Sequence, residues 1–516
     1  MNRRLTLAGL LILAGAPFAC GSSGDLSPTG TPDAGFVGSG DSGVQSPDAT
    51  APSTDGGVAP SPLADGGVDA DASPDAGPLT VHVTSGGAPE PGTPIVFHDA
   101  TGAVLSSATT DATGSVTQMM VPGGQVTAIL GTLEDPSPVT VQEVQPGDTI
   151  TFVAAPPFSS DIVGFFTVEL PAGIWDAGIG DAGNGDGDAG GVTETVSAGL
   201  CSITLPNFLS VGSNCQTGGT FPLFVSARDE NQRELAYTYQ KGNLVPDSGG
   251  SEAPEDVAVA RPFSPVTVLQ TIAVTNIPAD ADGGIIDYVQ TSDTEIADGL
   301  TTQLTLLSQG AKVNGTESDV YPAHPGYADA VQSEALYTHA TPCPNPDPYY
   351  DLAWALVADT RAAAPAASQT TTFDLSALPL VTSSALDTSD AGTAERPSVT
   401  WTSQAPLTAA DGIFTIVHWY VSEPEVSGTW TILAPSSSTR THAPALPASL
   451  AAYGPSSSSS FFNPPAVAAL QSTLAPGYAK LRANTGLLPT IDNFVQMPTL
   501  PASGTLFVSV YFPTNF

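Results

Sequence analysis

Pro94-Ile-Val-Phe-His-Asp99-Ala-Thr-Gly102-Ala-Val-Leu-Ser-Ser-Ala-Thr-Thr110-Asp111-Ala-Thr-Gly114-Ser-Val116 reads as strand, turn, strand, turn, strand. The runs 94–98 and 103–108 are short, apolar or β-branched, and bounded by two near-copies of one turn. Each turn has an Asp able to bond the backbone two residues on and a Gly able to take positive φ. Working outward, Leu79, Val81 and Val83 fall on one face and Thr80, His82 and Thr84 on the other, the period of a half-buried strand. Similar runs follow at 115–121, 125–130, 139–144 and 149–154. Strands at this spacing, punctuated by turns, predict a small antiparallel sandwich over 79–157.

The whole chain carries the same stamp. Its 516 residues hold 52 Gly and 48 Pro, with only 12% of residues charged. That composition is poor in helix formers and predicts an all-β fold class. At about 100–200 residues per domain the length predicts a disordered tether followed by two or three antiparallel β-sandwich domains. Twelve Lys and Arg face 51 Asp and Glu, a formal charge of −39. Such a field repels phosphate backbones, so nucleic acid is excluded as a partner. Between Arg4 and Arg228 no basic residue occurs. That stretch cannot form Lys or Arg ion pairs within itself, and apolar burial and hydrogen bonds must hold it.

Together with Val121-Pro-Gly-Gly124, the strand-and-turn stretch resembles the carboxypeptidase regulatory-like, or prealbumin-like, β-sandwich. The resemblance covers about 79–157 and rests on turn chemistry. It implies an accessory module without catalytic residues, suited to scaffolding or weak binding. The neighbouring Cna B-type adhesin sandwich often carries an internal Lys–Asn crosslink. No lysine lies between residues 5 and 227, so that crosslink is impossible in this segment.

The first residues look like an export signal: Arg3 and Arg4, the apolar run Leu5 to Ala16, then Pro17-Phe-Ala-Cys20. The run is too short to span a bilayer as a helix. Ala19-Cys20-Gly21-Ser22 resembles a bacterial lipobox, which makes 1–19 a signal peptide and Cys20 the site of lipid attachment. Pro17 departs from the branched aliphatic residue of that pattern, and ordinary secretion is the alternative. Two or more acyl chains would anchor the protein stably, making the membrane a partner. Gly21 lacks the Asp that resembles an inner-membrane retention signal, which points to the outer membrane or cell surface, with secreted or periplasmic as the alternative. Residues 20–78 are an acidic Gly/Ser/Pro/Asp linker with too little apolar surface to fold.

Residues 158–395 read as a β-rich domain with Asp-Ala-Gly insertions at about 172–194 and 384–397. Runs at 162–169, 200–205, 221–227, 234–239, 265–275 and 301–308 predict strands. Residues 351–358 fit a short helix or a buried strand equally well. Residues 396–516 form a C-terminal β-sandwich region. There Ile413 to Val421 is apolar on both faces, as a covered central strand should be, and Thr429 to Leu433 is its expected partner. Residues 467–474 are expected to make one or two helical turns, and 505–512 a closing strand whose truncation would be harmful.

Four cysteines remain: Cys20, Cys201, Cys215 and Cys343. With Cys20 acylated, Cys201 and Cys215 are the natural disulfide candidates, a short loop worth about 3 kcal/mol. Pairing of Cys343 with either of them is the rival.

No catalytic, cofactor-binding or metal residue is assigned. Gly40-Asp-Ser42-Gly copies the tetrapeptide around a chymotrypsin-like nucleophile but lies in the linker, where no base can be held beside Ser42. Asp247-Ser-Gly-Gly250 fares no better, and no Gly-x-Ser-x-Gly elbow occurs. His339 and Cys343 would share a zinc ion only on a helix, which Pro342 and Pro344 oppose. Asn184-Gly-Asp186-Gly-Asp188 has the opening spacing of a calcium loop, but Ala189 and Thr195 replace its Gly and Glu. Asp69, Asp71 and Asp75 are interrupted by Pro74. Phosphate loops are absent, so no cofactor is expected. Trp401, Trp419 and Trp430 sit at strand spacing and read as core.

The functional expectation is a non-enzymatic surface lipoprotein with a structural, adhesive or ligand-binding role toward a surface polysaccharide or protein. It assumes titratable groups too dispersed to gather into one centre. The alternatives are a secreted or surface hydrolase, acting on glycosides or peptides through a carboxylate site in 158–516, and a calcium-dependent binding module.

Overall fold

The computed structural model describes residues 76–154, 162–169, 193–198, 201–204, 209–212, 221–229, 233–244, 255–259, 261–278, 286–297, 300–309, 316–342, 350–388, 394–422, 425–462, 464–487 and 500–511. The signal, Cys20 and almost all of the linker lie outside them. Within them the chain is all-β, as its composition predicts.

The first unit comprises β1 (Gly77–Ser85), β2 (Ala88–Pro89), β3 (Pro94–His98), β4 (Val104–Thr109), β5 (Ser115–Met120), β6 (Gly124–Gly131), β7 (Pro136–Val144) and β8 (Thr149–Ala154). Apart from the two-residue β2, these are the strands read from the sequence. β1 lies between β5 and β8 in one sheet, and β4, β3, β6 and β7 follow one another in another. Leu79, Val81, Val83, Phe97, Val126, Ile150 and Phe152 fill the space between, each fully buried. Burial of such side chains stabilises by about 1.5–3 kcal/mol each.

The two turns are alike in detail. Asp99 Oδ1 accepts the Thr101 N–H at 2.8 Å, the Thr101 hydroxyl at 2.7 Å and the Ala103 N–H at 3.0 Å. Asp111 Oδ1 does the same with Thr113 at 2.8 and 2.6 Å and with Ser115 at 3.1 Å. Gly102 and Gly114 follow at φ 78° and 69°, the left-handed region that the turn requires. These bonds hold both carboxyls below their usual range, the Thr hydroxyl contributing most.

The middle of the chain supplies β9 (Ile162–Glu169), β10 (Thr193–Ala198), β11 (Cys201–Thr204), β12 (Leu209–Gly212), β13 (Phe221–Arg228), β14 (Glu234–Leu244), β15 (Glu255–Ala258), β16 (Ser264–Pro265) and β17 (Val268–Thr275). It continues with β18 (Ile286–Ala297), β19 (Leu300–Gln309), β20 (Glu317–Ala323), β21 (Ala330–Pro342), β22 (Tyr350–Ala363) and β23 (Gln369–Asp374). The ambiguous run 351–358 is therefore strand. The last part adds β24 (Val381–Asp387), β25 (Ser398–Ser403), β26 (Gly412–Ser422), β27 (Glu425–Ala434), β28 (Arg440–His442), β29 (Ser460–Phe461), β30 (Ala466–Ser472), the short helix α1 (Tyr478–Arg482) and β31 (Gly504–Tyr511).

Two expectations are corrected here. Residues 467–474 lie mostly in strand β30, not helix, because β26 and β31 pair with its two edges and decide the conformation of an Ala-rich run. The Asp-Ala-Gly break at 384–397 is shorter than expected, since β24 reaches Asp387 and β25 starts at Ser398.

Among the described residues the largest sheet has 13 strands, in the order β19-β18-β21-β22-β31-β30-β26-β27-β7-β6-β3-β4, with β29 beside β26. Its central seam is the parallel pairing of β27 with β7, Thr431 against Val139 and Leu433 against Val141. One apolar cluster therefore joins Phe97 and Val126 of the first unit to Phe414, Leu433, Leu470 and Val508 of the last. Smaller sheets pack on this one, including β20-β17-β23 and β11-β10-β13-β14-β16. Trp419 and Trp430 are fully buried, as expected. The Trp419 ring lies directly over Gly428, where an added Cβ would stand 2.2 Å from it.

Candidate functional site

Chemistry-bearing side chains gather in one place. β18 sends Thr291, Asp293 and Glu295, spaced by two and hence on one face, into the protein. The chain leaving β20 turns through His324-Pro325-Gly326-Tyr327, with Gly326 at φ 86°. The Tyr327 N–H closes that turn on the His324 carbonyl at 3.0 Å. From the other side the hairpin β13–β14 brings Arg228 and Glu234.

His324 is the hub. Its backbone N–H donates to Glu295 Oε1 at 3.0 Å and its Nδ1 bonds Glu295 Oε2 at 2.7 Å. Its Nε2 bonds Glu234 Oε1. Arg228 stands 3.9 Å from the other Glu234 oxygen. Phe224 and Tyr237 meet the imidazole edge-on, each with its ring centre 4.6 Å away. Tyr237 donates its hydroxyl to the Pro325 carbonyl at 3.3 Å. Arg261 covers Tyr239 and donates to its hydroxyl at 2.6 Å. The His324 side chain is 1% exposed and the Glu234 and Glu295 side chains 3%.

Burial alone would drive His324 toward the neutral form. The two carboxylates reverse this, Glu295 most strongly, and raise its pKa to about 10. At neutral pH the ring is an imidazolium donating from both nitrogens. An imidazolium has no lone pair to take a proton, so it is no general base. The carboxylates occupy opposite ring nitrogens and do not converge on a common point. Among the described residues no group of three His, Cys, Asp or Glu is placed to hold a metal ion.

A polar belt continues from this hub. Ser333 donates to Asp293 at 3.0 Å and accepts from Gln270 at 3.2 Å. Thr291 donates to Asp319 at 2.6 Å. Burial pushes Asp293 up to about 7, with the Glu295 charge adding to it against the Ser333 hydrogen bond. On the opposite face of the sheet Asp359 is fully buried and raised well above the ordinary carboxyl range by desolvation, then by Glu334 across the ladder.

A second buried chain is uncharged. His98 bonds Thr127 at 3.0 Å, Thr127 bonds Thr140 at 2.8 Å, and Trp430 Nε1 donates to Thr140 at 2.9 Å. This relay crosses the seam between β7 and β27. Burial, helped by the positive Arg396, lowers the His98 pKa to about 4.

The structure thus corrects the expectation of dispersal: acids and an imidazole do gather, sheltered from solvent. Sequence reading passed over Glu234, Glu295 and His324 because they are far apart in the chain. Every residue of Thr291-Ser-Asp-Thr-Glu295 is polar, so no alternation marks this stretch as a strand. Of the residues singled out from sequence, Cys20, Cys215, Cys343, Ser42, Asn184, Asp186 and Asp188 lie outside the described residues. So do Asp69, Asp71 and Asp75. Cys201 begins β11, its side chain outside the description. His339 lies in strand β21, not on a helix. Among the described residues no helix is long and apolar enough to cross a membrane.

No family model matches the chain, and no curated protein matches it. Among solved structures it is similar to the TIE protein of Bacillus anthracis, at 9% identity over 58% of this chain and 50% of that one, with a TM-score of 0.14. It is also similar to BcpA, the major pilin subunit of Bacillus cereus, at 8% identity over 58% and 99% of the two chains, TM-score 0.13. A tetra-tandem repeat from the extending region of a large adhesion protein matches at 12% identity over 77% and 95%, TM-score 0.11. The chain spans half the length of the first of these. At such TM-scores the roles of these proteins carry no weight for this one.

Proposed function

We propose that the chain is a non-enzymatic surface lipoprotein, anchored through an acylated Cys20 and set off from the membrane by the acidic segment 20–78. Its β body does structural or adhesive work toward a surface polysaccharide or protein partner. The observation that carries this reading is the closed state of the His324 cluster. Its imidazole is held as a cation between two carboxylates, with side chains 1–3% exposed. Groups so paired tie sheets together, and the protonated ring has no lone pair with which to act as a base. The anchor is supported by the lipobox-like junction at Cys20 and the acidic linker after it, and the absence of Asp at position 21 favours the outer membrane.

Mass spectrometry of the mature N-terminus tests the anchor. A diacyl or triacyl Cys20 is the expected result, and Cys20→Ser should move the protein from the membrane to the soluble fraction. A mature chain that starts elsewhere, or at Cys20 without fatty acid, overturns it. Glycosidase and peptidase assays test the other half: turnover abolished by Glu234→Gln in a protein that still folds would overturn the non-enzymatic reading.

A further inference from the structure

The large sheet ends at β4, and among the described residues nothing pairs with this edge. Among the described residues β4 pairs only with β3. Edge strands in soluble proteins are blunted by charge, proline, shortness or cover. β20 carries Glu317 and Pro322, β23 ends in Asp374 and β28 has three residues. β19, at the far end of the same sheet, lies against β10 and β13. β4, Val-Leu-Ser-Ser-Ala-Thr, has no charge and no proline, and Leu105 on it is 52% exposed. The turn 110–114 carries the chain to β5, the edge of the facing sheet, which is likewise uncharged and exposes Met119 at 56%. Two open edges therefore share one flank.

A row of unpaired backbone N–H and C=O groups is matched by another extended polypeptide strand. We propose that the occupant is a second copy of this chain, with β4 pairing antiparallel to its own copy across a two-fold axis at Ser107. This register keeps opposite residues on the same face. Leu105 stands across from Thr109 of the copy and Ser106 across from its Ala108. The small Ser, Ala and Thr side chains leave the backbones free to approach. Charge selects the place. Two bodies of −39 repel each other, and close approach is least costly where no carboxylate lies between them. The acids on this flank sit at the ends of β4: Asp99 and Asp111 in the turns, and Glu90, whose carbonyl accepts the Thr110 hydroxyl at 2.8 Å. Their residual repulsion is screened by salt. The pairing does not depend on the lipid anchor.

Sedimentation velocity of the purified full chain, over a range of concentration at low and high salt, tests this. A monomer–dimer equilibrium that tightens with salt is expected. Ser107→Glu sets like charges face to face on the axis and should return the protein to monomer with its melting temperature unchanged. Ser107→Cys supplies a positive readout that needs no loss of stability. Opposite residues of an antiparallel pair have Cα atoms about 4.5–5.5 Å apart, within disulfide reach. Mild oxidation should crosslink this variant into a dimer, while Ala112→Cys, in the turn, stays monomeric. A chain that remains monomeric at every concentration and salt overturns the proposal. A dimer insensitive to Ser107→Glu does so too, as does crosslinking through Ala112→Cys equal to that through Ser107→Cys.

Discussion

Two buried histidines divide the molecule by the way it satisfies polar groups. His98, in the first unit, is neutral and ends a chain of hydroxyls and an indole. His324, in the middle, is a cation held by two carboxylates. The first unit has no Lys or Arg of its own and takes cations from far along the chain: Arg482 bonds Asp148 at 2.9 Å and Arg396 donates to the Thr101 carbonyl at 3.1 Å. In the middle the first basic residues after Arg4 pair with acids close by, Arg228 beside the buried Glu234 and Lys241 on the exposed Asp329 at 2.6 Å. The same side chain thus has its pKa moved down to about 4 where burial and the Arg396 charge act on it, or up to about 10 where two carboxylates outweigh burial.

The largest effect should come from breaking the charged side of this comparison. His324→Leu leaves Glu234 and Glu295 buried without their shared cation, and removal of one partner of a buried pair costs about 3–5 kcal/mol. Denaturant melts at neutral pH should show that loss.

The pH dependence separates the two histidines further. His324 binds its proton more tightly folded than unfolded, so its contribution is complete below pH 6.5 and is lost as pH rises toward 10. His98 has the opposite sign: the unfolded chain takes a proton that the folded one refuses, and stability falls as pH drops from 6.5 toward 4. Each arm has a limiting slope of about 1.4 kcal/mol per pH unit. His98→Asn should flatten the acid arm and leave the alkaline one. Asp293, raised to about 7, works against His98 in the same acid window, since a raised carboxyl loses stability as pH rises from 3.8 toward 7. Asp293→Asn should therefore steepen the net fall on acidification, a result that urea melts at stepped pH would reveal.

On the neutral side, Thr140→Val removes the acceptor of the Trp430 N–H and a partner of Thr127 at constant shape. A loss of about 1–2 kcal/mol is expected, read from the shift in the urea midpoint with the slope unchanged. The smallest effect should be that of Asp99→Ala in its exposed turn, visible as faster amide exchange at Thr101 and Ala103 before any change in the midpoint.

The sequence makes the first unit plain because strands such as β1 and β8 keep one face apolar, and its turns announce themselves through Asp and Gly. Ile413 to Val421 is equally plain, as a strand covered on both faces. β18, β20 and β21 are harder to see. Thr291, Asp293 and Glu295 put polar groups on the face that normally carries the apolar signal, and the alternation that marks a strand disappears. The His324 cluster was illegible for a related reason. Its members come from β14, β18 and the turn after β20, and no spacing in the chain records that three separate elements will meet. β30 misled because its alanines favour helix on their own, and pairing with β26 and β31 overrides that preference.

The ladder between β7 and β27 has a temporal side. Thr431 must find Val139 across nearly 300 residues of chain, and β31, the last described strand, inserts between β22 and β30. Contacts so distant in sequence form slowly, since a long loop must close before they can reward it. During synthesis or export the first unit therefore waits with the edge of β7 bare until the C-terminal strands arrive. Through that interval the protein depends on whatever keeps unfinished sheets apart.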